Sequence, residues 1–175
     1  MLRNQEKQAL AAKINEVKIT SIKAVRAMVK SAVPQEHAAV IACSSYPIPQ
    51  EALSEIGPQL LLHFDDTMDP HRAAIFTPKL AEAVKRFLCG SGERIATLYV
   101  CCDSGESRSA ALAAAILRSC GRSDAPVWRN PKFHPNPLVY RLQCEAFHIR
   151  VSFIGLKWRI RMNRNAFRQA QQRSK

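Results

Sequence analysis

The sequence predicts an α/β fold: a central, largely parallel sheet flanked by helices. Three observations predict it. Short apolar runs with strand character alternate with amphipathic helical stretches along most of the chain. At 175 residues and 47% apolar composition, the chain is long enough for one domain with a real core. And "YVCCDSGESRSAALAAAIL" (99–117) passes from an apolar run, through a short polar loop with one glycine, into an alanine-rich helix. Strand-to-helix loops of this kind lie at the carboxyl ends of strands, where open α/β sheets bind ligands.

In chain order, "VKITS" (17–21) alternates as a strand does, and "IKAVRAMVKS" (22–31) has the apolar spacing of an amphipathic helix. "HAAVIACSS" (37–45) is a buried strand, closed by "YPIPQ", whose two prolines forbid regular structure. "QLLLHF" (59–64) is a short strand ending at Asp65 and Asp66, and "TMDPHR" is loop. "TPKLAEAVKRFL" (77–88) is a helix with Thr77 as N-cap, Pro78 in its first turn and "CGSG" as its stop. "ATLYVCC" (96–102) is a strand, Ser109 to Ser119 a helix stopped by Gly121, and "NPLVYRLQCEAFHI" (136–149) a further helix. No internal repeat or low-complexity segment is visible. The expected organisation is an N-terminal extension over 1–16, a domain over 17–155 and a basic tail over 156–175.

The formal charge of +12 points to an anionic partner or to a solvated basic surface. It is concentrated in "LKWRIRMNRNAFRQAQQRSK" (156–175), which carries seven Lys and Arg and no acid. That tail is expected to be a flexible, solvated extension. A docking arm for an acidic partner or nucleic acid is second, with Trp158 and Phe167 free to stack on bases or to pack against the domain. The first residues are charged and carry no apolar leader, and no apolar run is long enough to span a membrane. The expectation is a cytoplasmic protein whose six cysteines are reduced. No Cys-x-x-Cys occurs and the histidines lack zinc spacing, so neither metal nor cofactor is expected.

Cys102-Asp103-Ser104-Gly105-Glu106-Ser107-Arg108 is a C-x5-R loop. Its amides, with those of the following helix's first turn, form a site for an anion. Gly105 permits positive φ and close backbone approach. Arg108 offers a planar fork matched to two phosphate oxygens. The same positive surroundings lower a thiol pKa from about 8.5 into roughly the 3.5–7.5 range. A thiolate would therefore face a bound phosphoryl group. Cys144 and Arg150, in "CEAFHIR", repeat the spacing with no glycine and no preceding strand. Cys144 is read as core packing.

The segment "CCDSGESRS" resembles the signature loop of cysteine-dependent protein tyrosine phosphatases of the compact dual-specificity type, commonly H-C-x-x-G-x-S-R-S. "FDD" (64–66) looks like that family's general-acid loop, and "HPNPLVYRL" (134–142) is similar to its Pro-Asn segment. The likeness spans roughly 17–150, and makes 17–155 a catalytic domain of that type with a phosphatase-type loop between strand and helix. It implies that Cys102 attacks phosphorus and forms a phosphocysteine, and that Arg108 holds the equatorial oxygens. Ser109 would donate to the departing sulfur. An aspartate would protonate the leaving oxygen and then activate water. Asp66 is favoured for its place at a strand end; Asp69 fits the family's usual separation from the cysteine better, and Asp65 is the third candidate.

Two positions depart from the pattern. Cys101 stands where the family has histidine, which is expected to leave the thiol less acidic, and it could trap a sulfenic acid formed on Cys102. In "PNPLVYRLQ" the water-positioning glutamine of some members is replaced by leucine, with Gln143 one place later. Asp103 and Glu106 occupy loop positions at which inositol-lipid phosphatases tend to carry lysine, so a phosphorylated protein, phosphotyrosine before phosphoserine or phosphothreonine, is the expected substrate. Two other readings stay open: a catalytically weak phosphate-binding module, and a basic nucleic-acid-binding protein. His63, His71, His134 and His148 show no pattern, although His71 and Arg72 fall in the acid loop.

Overall fold

The computed structural model describes residues 4–30, 37–90 and 94–173. In chain order the elements are α1 (Asn4–Lys13), β1 (Ile14–Ser21), α2 (Ile22–Lys30), β2 (Ala38–Ser44), β3 (Gln59–His63), α3 (Pro78–Gly90), β4 (Ile95–Cys102), α4 (Arg108–Ser119), α5 (Ala125–Arg129), α6 (Pro137–Ala146) and α7 (Phe153–Arg173), with two 3-10 turns at Gln50–Ala52 and Ser54–Ile56. The four strands pair in parallel in the order β1-β4-β2-β3. The sequence-derived α/β class with a parallel sheet is the class of the structure.

β4 lies between two strands, and its side chains alternate between two cores. Leu98, Val100 and Cys102 face the core shared with α3, α4 and α6. Tyr99 and Cys101 face the smaller core capped by α2 and the 3-10 turns. α4 is buried along nearly its whole length, from Arg108 to Ile116. Five alanines let it lie close to β4 on one side and α6 on the other. The loop leaving β4 thus stands at the carboxyl edge of the sheet's interior, and the helix it enters cannot shift without disturbing the core.

Several expectations change at the termini. β1 begins at Ile14, inside the segment read as an extension, and Leu10 and Ile14 are core residues. Lys13 Nζ donates to the Leu88 carbonyl at 2.8 Å, and Arg122 donates to the Asn15 carbonyl at 2.8 Å and to that of Ile14. The basic stretch expected to be flexible is α7, a helix of 21 residues docked on α5. Its anchor is polar. Asp124 is buried and accepts from Arg159 Nε at 2.7 Å, Arg159 Nη2 at 3.2 Å and the Tyr140 hydroxyl at 2.5 Å. Burial alone would raise the Asp124 carboxyl, but these donors outweigh it and hold it below its ordinary value. Asn163 Nδ2 donates to the carbonyls of Trp128 (3.1 Å) and Phe133 (2.8 Å). At the end of α3, Cys89 and Gly90 are still helical; the rest of the expected "CGSG" stop lies outside the described residues.

Candidate active site

The loop of residues 103–107 folds back over the end of β4. Gly105 has φ +80°, and a Cβ there would fall 2.6 Å from the Thr20 carbonyl carbon and 2.7 Å from the Ser21 nitrogen. Glycine alone lets the loop lie on the end of β1. Folded this way, the Gly105 amide donates to Cys102 Sγ at 3.2 Å, and Ser109 Oγ sits 3.1 Å from the same sulfur. Burial pushes the Cys102 thiol up. The Ser109 hydroxyl and the amides of Ser109, Gly105 and Glu106 outweigh it, leaving the thiol below its ordinary value. This happens with no histidine beside it: Cys101 itself is pushed up to about 12 by burial and its neighbours. Burial also raises the thiols of Cys43, Cys120 and Cys144, the last to about 11.

Arg108 enters the site from the first turn of α4 with its side chain only 6% exposed. Nη1 donates to the Phe64 carbonyl at 2.7 Å and to Ser45 Oγ at 3.1 Å. Nη2 donates to Asp103 Oδ2 at 2.5 Å. Nε is buried and has no partner among the described residues. A buried donor left open costs free energy unless something else accepts from it, and an anion held in the loop would do so. Asp103 also accepts from the Ser45 amide at 3.3 Å. Burial would raise its carboxyl, but Arg108 and Ser44 hold it below its ordinary value. Asp103, Ser104 and Glu106 are exposed at the rim, with Ser107 half-buried.

Of the three candidate acids, Asp66 stands at the loop. Its Oδ1 accepts from Ser107 Oγ at 3.0 Å and from Asn136 Nδ2 at 2.8 Å. Asn136 couples two elements: its Oδ1 caps α6 through the Leu138 and Val139 amides, while Nδ2 also reaches the Thr67 carbonyl at 3.3 Å. Asp65 uses its backbone, its amide donating to the Ala74 carbonyl and its carbonyl accepting from Thr67. Asp69 Oδ1 accepts from the His71 amide, capping an exposed turn. His71 and Arg72 are exposed in that turn.

Other expectations are corrected. Cys101 points into the core opposite to that of Cys102, so it does not face the sulfur whose sulfenic acid it could have trapped. The cysteine paired with Cys102 across the sheet is Cys43 of β2. Gln143 is buried with Nε2 on the Ala81 carbonyl of α3, away from any water-positioning role in the loop. His134, which showed no pattern, donates its amide to the Glu106 carbonyl at 2.9 Å and packs its ring on Phe167 of α7. Sequence reasoning gave no role to Ser45, to the Phe64 carbonyl or to the Asn136 side chain, although Phe64 and Asn136 lie in the "FDD" and "HPNPLVYRL" segments. Only Asn136 carries a signal, as an Asn-Pro pair opening a helix.

Comparison with protein-family models finds no match, and comparison with curated proteins finds none either. Among solved structures, the chain is similar to the crystal structure of PTPMT1 in complex with PI(5)P. That similarity has 17% identity and a TM-score of 0.42, over 89% of this chain and 94% of the other.

Proposed function

We propose that this protein is a cysteine-dependent phosphomonoester hydrolase of the protein tyrosine and dual-specificity kind, acting through a phosphocysteine on Cys102. The observation that carries the reading is the Cys102 thiol. Among the described buried cysteines it is the one held below its ordinary range, and the groups that hold it there are loop donors aimed at its sulfur.

The thiolate attacks phosphorus, forming S–P as the P–O bond to the leaving group breaks. Asp66, at the loop through Ser107, gives its proton to the departing oxygen. Loop amides and Arg108, through the open Nε, take the equatorial oxygens as charge moves onto them. In the second step Asp66 accepts a proton from water. The water oxygen bonds to phosphorus as S–P breaks, and Ser109 Oγ stabilises the sulfur that leaves. A phosphotyrosyl protein is the substrate we favour, because Asp103 and Glu106 at the rim repel head groups carrying several phosphates. One observation favours a second reading: Asp103 occupies Arg108 Nη2, a donor a substrate would need, which suits a module that binds phosphate without turning it over.

The test is p-nitrophenyl phosphate hydrolysis by the protein, Cys102→Ser and Cys144→Ser under reducing conditions. Loss of about 10⁴-fold or more in Cys102→Ser, with Cys144→Ser active, is expected. Turnover that survives Cys102→Ser rejects the mechanism. Absence of turnover in all three, with phosphate still bound, leaves the binding module.

A further inference from the structure

We infer that the outward face of α7 is a docking surface for an anionic membrane. The orientation of that face is set by the anchor: Arg159 and Asn163 point inward to Asp124, Trp128 and Phe133. At about 100° per residue, Lys157, Arg161, Arg164 and Arg168 then fall on a single outward stripe, about 16 Å long. All four are exposed, and none has an ion-pair partner among the described residues. No acid occurs after Glu145 to offset them.

Cations alone describe any solvated basic helix. The second observation is apolar. Phe153, Ile154 and Trp158, at the start of the same face, are 71%, 80% and 54% exposed. The informative surface feature is a cluster of large apolar side chains, since isolated ones are common. Lys157 Nζ lies 4.3 Å from the Phe153 ring centre, so charge and apolar surface are interleaved.

A single-stranded nucleic acid would use the cations and stack on Trp158 and Phe153, but would leave Ile154, 80% exposed, in water. A membrane interface takes both groups: rings and Ile154 enter the boundary between head groups and acyl chains, while the cations meet lipid phosphates. No described helix is long and apolar enough to cross a membrane. α7 also reaches the candidate site, because Phe167 packs on His134, whose amide holds the Glu106 carbonyl. Docking would therefore hold the loop at a fixed place relative to the bilayer. The inference does not rest on the proposed chemistry.

The experiment is co-sedimentation of the full chain with phosphatidylcholine vesicles, with and without about 30% phosphatidylserine. Binding is expected on the anionic vesicles only. Each cation near such a surface contributes about five-fold, so Arg161→Ala with Arg164→Ala should weaken binding by about 30-fold. Lys157→Ala with Arg168→Ala should repeat that loss. Ile154→Ser should weaken it by about ten-fold through lost apolar burial. These side chains are exposed, so melting temperatures should stay unchanged. Equal binding to neutral vesicles, no binding to either, or an undiminished Ile154→Ser variant overturns the inference. So does retention on a single-stranded oligonucleotide in place of vesicles.

Discussion

The chain contains the same cysteine–arginine spacing twice, and the two segments have opposite chemistry. From Cys102 to Arg108 the backbone is a loop whose amides are not used by a helix. Gly105 turns it with φ +80°, and the amides converge on the sulfur. From Cys144 to Arg150 the backbone is the end of α6, where the amides close back on carbonyls: Phe147 on Gln143, and Ile149 on Cys144 at 2.8 Å. Cys144 keeps its burial and gains little to stabilise a thiolate, so burial pushes it up to about 11. Arg150 ends exposed, whereas Arg108 is enclosed. Spacing does not make an anion site. The path of the backbone between the two residues does.

The largest effect that would test this contrast lies in the arginines. Arg108 reaches Phe64, Ser45 and Asp103 at once with a planar group, which a lysine ammonium cannot reproduce. Arg108→Lys is expected to lower kcat on p-nitrophenyl phosphate by about 10²–10³-fold, as loss of a transition-state donor does. Arg150→Lys should leave both turnover and melting within error. Equal losses in the two variants would mean that the enclosure of Arg108 has no functional weight.

The thiols give the next effect without relying on turnover. The folded Cys102 pKa is depressed, so its thiolate survives to lower pH than an ordinary cysteine's. By linkage this thiolate stabilises the fold above the unfolded thiol pKa, and that contribution is lost as pH falls through the folded value. Cys144 and Cys101 are pushed up to about 11 and 12. With iodoacetamide at pH near 7, mapped by peptide mass, Cys102 should be alkylated on the order of 100-fold faster than either. Labelling of Cys144 at a comparable rate in the folded protein would remove the distinction.

The legible and illegible parts of the molecule differ in how far apart the causes lie along the chain. The strands, α2, α3, α4 and α6 follow from local periodicity and caps, and the loop from seven adjacent residues. α7 was not legible as a docked helix. Its anchors, Arg159 and Asn163, look like ordinary surface residues until Asp124, Trp128 and Phe133 are brought beneath them by the turn through α5. Asp65, Asp66 and Asp69 are likewise the same residue type in one short loop. What separates them is contact with Ser107 and Asn136, which only the folded chain brings together.

The smallest effect isolates the glycine that the Cys144 segment lacks. Gly105 and Gly121 share nearly the same conformation, with φ +80° and +71°. A Cβ at Gly121 meets nothing within 4 Å, so Gly121→Ala carries only the left-handed penalty of about 1 kcal/mol. At Gly105 the new methyl would overlap the backbone of Thr20 and Ser21, which belongs to β1 and cannot swing aside as a side chain would. Gly105→Ala should therefore cost about 2–3 kcal/mol in denaturant unfolding. It should also slow Cys102 alkylation, because the loop must lift its amides from the sulfur. Equal destabilisation of the two variants would show that the loop does not need its close seat on β1. Unequal destabilisation without a change at Cys102 would show that the seat matters to the fold and not to the thiol.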